Sequence, residues 1–121
     1  MIYDESGLDA QPRHGGRSMV EIDWNINPFR GDRFEAAWRG PAEAALDYGA
    51  SAYAFFRSKD DPLKFKQVAY FDSKHDWERY WYSEEISEAR ANAAGMFQVP
   101  LVYHWFRVVG ADERTAEVVE G

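Results

Sequence analysis

The chain has no cysteine. That absence removes disulfides, thiolate nucleophiles and zinc ribbons, and a cytoplasmic location is the simplest expectation. Basic residues are in deficit: 14 Lys and Arg stand against 21 Asp and Glu, a net charge of −7. An acidic surface repels phosphate backbones, so nucleic acid is not an expected partner. No apolar run approaches the roughly 20 residues that a membrane-spanning helix needs. Residues 1–18 lack the hydrophobic segment of a secretion signal. No glycine-rich phosphate loop follows a strand and no G-x-S-x-G elbow is present, so neither a nucleotide cofactor nor a serine triad is expected. The three histidines, His14, His75 and His104, show no i, i+4 spacing, which leaves a metal site without support.

What the sequence does have is rings. Five Trp, seven Tyr and eight Phe make up 17% of 121 residues, a length that suits one domain with a single core. Residues 1–17 carry three glycines and no periodicity and read as a flexible arm. A folded domain is expected over 18–110, and 111–121 form an acidic tail.

Met19 to Ile26 alternates strictly, with Val20, Ile22, Trp24 and Ile26 on one side and Glu21, Asp23 and Asn25 on the other. Period two means a strand. Asn27-Pro28 reads as a helix start, with Asn27 as the cap. Phe34, Ala37, Trp38, Ala45 and Leu46 form that helix's apolar stripe, and Pro41 predicts a kink or restart within it. Gly49 is a left-handed stop. Two strands, 50–57 and 63–71, flank the polar turn Ser58–Pro62 and form an antiparallel hairpin. Ser73 with Asp76 resembles a capping box. Trp77, Tyr80 and Trp81 then stand at i, i+3, i+4, but the stripe slips phase at Ser83, where Glu84-Glu85 begin a second helix that ends near Gly95. Val99 to Val109 is the last strand. The order predicts an α+β, ferredoxin-like βαββαβ sandwich: a four-stranded antiparallel sheet with its helices on one face.

The strand leading to Pro28 and Phe34, the stretch "QVAYFDSKHDWERYWYS" and the closing strand after Pro100 together resemble the dimeric α/β-barrel superfamily. The likeness is strongest to its antibiotic-biosynthesis-monooxygenase branch. The motif positions are Tyr70, Phe71, Ser73, Trp77, Tyr80 and Ser83. The resemblance implies a homodimer formed through the open sheet face. It also implies a ring-lined cavity between sheet and helices that takes a small aromatic ligand. Some members oxygenate flat, oxidisable compounds without a cofactor, and others have no known catalysis. Haem-degrading members use a tryptophan and a histidine where this chain has Phe71 and Tyr80, so haem is not expected.

Trp24, Trp77, Tyr80, Trp81 and, with lower rank, Tyr70 are the ligand-lining residues this reading selects. Large rings also dominate small cores, and each of these side chains has that plainer role open to it. His104 shares a strand face with Val102 and Phe106 and is expected to be partly covered, either as a hydrogen-bonded structural residue or as a proton-transfer group. Arg57 and Arg107 lie near strand ends, either as surface charges or as oxyanion handles. The catalytic candidates are therefore His104, Tyr80 and Arg57. The alternative function is a non-catalytic ligand-binding or assembly module. On the open face, Glu21 and Asp23 are expected beside Lys64 and Lys66.

Overall fold

The computed structural model describes residues 18–114. Eight elements follow in chain order: β1 (Ser18–Asn25), α1 (Gly31–Glu43), a 3₁₀ helix (Ala44–Tyr48), β2 (Ala52–Arg57), β3 (Lys64–Phe71), α2 (Lys74–Trp81), α3 (Glu84–Asn92) and β4 (Val102–Arg107). The sheet order is β2-β3-β1-β4, all antiparallel. The two crossovers carry the helices to one face, which gives the ferredoxin-like α+β sandwich that the element order predicts. The expected arm, 1–17, and residues 115–121 of the tail lie outside the described residues.

Alternation along β1 holds in full. Val20, Ile22 and Trp24 are buried beneath the helices, while Asp23 and Asn25 are exposed on the other face. On β3, Phe65, Gln67, Ala69 and Phe71 point inward. The two helices after β3 are separate, as the phase slip predicts. Ser73 Oγ accepts the Asp76 N–H at 3.2 Å, and Ser83 Oγ accepts the Ile86 N–H at 3.1 Å. Each serine satisfies a donor that the first turn of a helix leaves free. Gly49 closes the 3₁₀ helix at φ 104°, a conformation that glycine adopts without a Cβ penalty.

Three expectations are corrected. The first helix starts at Gly31, not at Pro28. Residues 27–30 instead form a turn in which the Arg30 N–H donates to the Asn27 carbonyl. Phe29 occupies that turn at φ 69°. Asn27 serves the other end of the fold: its side-chain amide donates to the Gly95 carbonyl at 2.8 Å, and its N–H donates to the Met96 carbonyl. A Cβ on Gly31 would crowd the Arg57 guanidinium and the Pro62 carbonyl, so the arginine would have to shift.

Second, α1 does not restart at Pro41 but continues to Glu43, and its tightening to 3₁₀ comes only after that residue. The carbonyl of Pro41 accepts a hydrogen bond from Tyr80 Oη at 2.7 Å. The buried stripe of α1 is Gly31, Phe34, Trp38 and Ala42, and Ala37 and Leu46 are exposed. Third, β4 is shorter than expected and begins at Val102. Residues 96–98 reach β1 first: Ile26 bridges Phe97, and the Gln98 N–H donates to the Asn25 carbonyl.

Candidate functional site

Ring packing between sheet and helices is continuous. Trp24 from β1 lies 4.7 Å from Trp38, 4.9 Å from Phe34 and 5.1 Å from Phe97, measured between ring centroids. Trp77 stacks on Trp81 at 5.0 Å and meets Tyr103 edge-on at 4.9 Å. Tyr80 sits against Phe71 and Tyr48. These centroid separations fall in the range of favourable offset and edge-to-face contacts.

One polar chain crosses this apolar volume. The Trp38 indole N–H donates to Gln67 Oε1 at 2.8 Å, and Gln67 Nε2 donates to Tyr80 Oη at 2.9 Å. Tyr80 Oη in turn donates to the Pro41 carbonyl. Burial pushes the Tyr80 hydroxyl pKa well above its ordinary 10. A hydroxyl engaged twice and held protonated is a poor proton shuttle near neutral pH. The indole N–H groups of Trp24 and Trp77 are buried with no acceptor.

Apart from Arg57, the predicted site residues divide into three groups. Trp24, Trp77 and Tyr80 are fully buried and packed on other rings. Trp81, 7% exposed, reaches a cleft of about 400 Å³ that it shares with Ser87, Arg90, Ala91, Phe97 and Leu101. Tyr70 and His104 lie on the opposite face of the sheet. His104 is exposed there as the cross-strand partner of Glu21, which corrects the expectation that it is covered and removes it from any space beneath the helices. The parity of β4 explains the difference. Both of its faces carry rings, and Tyr103 and Trp105 turn inward while Val102, His104 and Phe106 turn outward.

Arg57 is also committed elsewhere. Its Nη1 contacts Asp32 and Glu35, each at 2.8 Å, and its Nε donates to the Pro62 carbonyl at 2.9 Å. These partners hold its pKa above the ordinary value, with the Asp32 hydrogen bond first among the causes. The 380 Å³ cleft beside it, lined by Glu35, Arg39 and residues of β2, therefore offers a guanidinium already matched with acids. His75 is exposed on α2, and Arg107 is exposed at the end of β4. Among the described residues no group of three His, Asp or Glu could hold a metal ion, and no helix is long and apolar enough to cross a membrane.

Two features went unassigned by sequence reasoning. Gln67 had a signal, since it is the one polar residue at inward positions of β3. Arg90 had a subtler one, in that no acid stands three or four residues to either side of it on α3.

No known family's sequence profile matches the chain, and no curated protein matches it. Solved structures do. A protein from Nitrosomonas europaea, provisionally named an antibiotic biosynthesis monooxygenase, superposes with a TM-score of 0.71 at 15% identity, covering 77% of this chain and 99% of its own. A similarly named protein from Bordetella bronchiseptica gives 0.67 at 20% identity, over 78% and 98% of the two chains. SnoaB, a cofactor-independent oxygenase from Streptomyces nogalater, gives 0.67 at 9% identity, over 79% and 97%. The chain has the fold of these antibiotic-biosynthesis-monooxygenase proteins.

Proposed function

We propose that the protein is a homodimeric, monooxygenase-like protein that binds a planar, oxidisable organic compound and needs no cofactor. The observation that supports it is the Trp81 cleft. There one ring of the predicted lining set meets the surface beside Phe97 and Leu101, next to a cation. A flat ligand lying against Phe97, Leu101 and the exposed edge of this indole, with an acidic group near a guanidinium, is favoured as its anion. The anion is electron-rich and is itself the reductant. When a ring methylene becomes a carbonyl, one oxygen atom of O₂ enters the product, and the other leaves as water with the two methylene hydrogens. The protein's part is orientation and stabilisation of the anion. Tyr80 supports α2 from within rather than exchanging protons.

The test is oxygen uptake with flat aromatic enols whose keto form carries an oxidisable ring methylene. Consumption well above the spontaneous rate, lost on filling the cleft, supports the reading. Stoichiometric binding with only spontaneous uptake favours the second reading, a non-catalytic ligand-binding or assembly module. The dense packing of Trp24, Trp77 and Tyr80 is the observation on that side. Haem is not proposed as a ligand. Phe71 and Tyr80 are fully buried against one another, and titration with haemin should give no stoichiometric Soret shift.

The homodimer is proposed to form through the outer sheet face. Phe56, Val102 and Phe106 there are 51%, 49% and 44% exposed. They flank a charged centre in which Lys66 Nζ lies 2.9 Å from Glu21 and 3.9 Å from Asp23. Lys64, expected beside the acids, faces Asn25 instead. A two-fold axis would lay this surface on its own copy.

A further inference from the structure

α3 holds a cation that its own sequence does not neutralise. Its acids are Glu84, Glu85 and Glu88. None lies at i±3 or i±4 from Arg90, where Ile86, Ser87, Ala93 and Ala94 stand, so no helical ion pair is available. Among the described residues Arg90 has no carboxylate partner. Its guanidinium is stacked over Trp81, 4.3 Å from the ring centroid. Nη1 donates to the Trp81 carbonyl at 2.6 Å, and Nη2 makes a long contact of 3.5 Å with Ser87 Oγ.

The bland role is real: Arg90 ties the last turn of α2 to α3, where a cation also suits the helix terminus. That role accounts for one good hydrogen bond. A guanidinium has five N–H donors in a planar fork, and beyond the long Nη2 contact with Ser87 the remaining donors find no acceptor among the described residues. Partial burial disfavours the charge and lowers the Arg90 pKa. The cleft beside it is walled by Trp81, Phe97, Leu101, Ala91 and Ser87, an open, partly apolar slot ending in a partly desolvated cation with no carboxylate partner.

We infer that this slot recognises a carboxylate on a flat apolar body, with Arg90 binding the carboxylate and Trp81, Phe97 and Leu101 holding the body. This rests on the site proposed above and narrows its ligands to aromatic acids. A planar two-oxygen anion matches the guanidinium fork better than a point charge or a neutral amide does.

Calorimetric titration of the full chain with 2-naphthoate and with its neutral isostere 2-naphthamide tests the inference. The acid is expected to bind at least about tenfold more tightly, the difference one charge-assisted pair supplies. Arg90→Gln should abolish that preference while the amide's affinity stays. Ala91→Leu, at an exposed helical position in the slot wall, should weaken both compounds with Arg90 intact, and it decides the matter if the Arg90 variant fails to fold. Equal affinity for acid and amide in the wild type, including no binding of either, overturns the inference. So does a preference that survives in Arg90→Gln, or naphthoate binding unaffected by Ala91→Leu. Because no turnover is measured, a failed oxygen-uptake experiment with a retained acid preference sinks the oxygenase reading alone, and the converse result sinks this inference alone.

Discussion

The two faces of the same sheet are built on opposite terms. The inner face is finished: Val20, Ile22, Trp24, Phe65, Ala69 and Phe71 are buried, and the Gln67 amide is bonded at both its oxygen and its nitrogen. The outer face, in the single chain, leaves three large apolar side chains about half exposed around the Glu21–Lys66–Asp23 cluster. Both faces come from the same alternating strands, so secondary-structure preference does not separate them. The contrast lies in what each face has for a partner. The inner one is covered within the chain, and the outer one leaves apolar side chains exposed in the single chain, as the proposed dimer would require.

Substitutions on the two faces should therefore fail differently. The largest effect is expected for Trp38→Ala, which empties space beneath Trp24 and Phe34 and removes the donor to Gln67. A loss of about 3–5 kcal/mol in urea unfolding is expected. Gln67→Leu should cost about 1–3 kcal/mol, because the buried Trp38 N–H then lacks its acceptor. A neutral result would show that the polar chain is dispensable.

Tyr80 makes the inner face sensitive to alkali. Its folded pKa is raised above 10 by burial, so its contribution is fully present below about pH 10 and falls as pH rises, since the unfolded hydroxyl ionises while the folded one stays protonated. Tyr80→Phe should flatten the decline in stability seen above pH 10. An unchanged pH profile would mean that the hydroxyl is less secluded than its packing suggests.

On the outer face, Lys66→Glu adds a third acid beside Glu21 and Asp23. The fold of the single chain should change by less than about 1 kcal/mol. The proposed dimer, in contrast, should weaken about tenfold or more by light scattering. A wild-type monomer mass would remove the dimer, and an unaffected dimer would move its interface off this face. The smallest effect is reserved for Phe29, fully exposed at φ 69°. Phe29→Gly should raise thermal stability by up to about 1 kcal/mol by relieving left-handed strain.

How legible this was depended on whether one local signal ruled. β1 has apolar residues on one parity only, so its faces could be read directly. Ser83 with two acids behind it marked a helix start that the structure keeps. β4 has rings on both parities, and the alternation that identifies a strand cannot then say which side is inward. That is why the face His104 shares with Val102 and Phe106 reads as covered, although in the single chain it is exposed. Pro41 lacks the N–H that a helix interior uses, yet α1 runs through it to Glu43; the Tyr80 hydroxyl that bonds the Pro41 carbonyl comes from 39 positions away and leaves no local signal. Arg90 and its cleft are assembled from α2, α3 and the segment before β4. They all fall within residues 81–101, but at no single helical or strand spacing that would place them on one surface.

The closeness of the indoles has an optical consequence. Trp24 with Trp38, and Trp77 with Trp81, are near enough for their electronic transitions to couple. The folded chain should therefore show an exciton couplet in circular dichroism that vanishes when the layers separate, reporting on the core without any label. Trp81 differs from the other three in carrying a guanidinium over its ring. A ligand that draws Arg90 away should shift the emission of this indole and leave the Trp24–Trp38 couplet unchanged, so a single cuvette can tell occupation of the cleft from loosening of the fold.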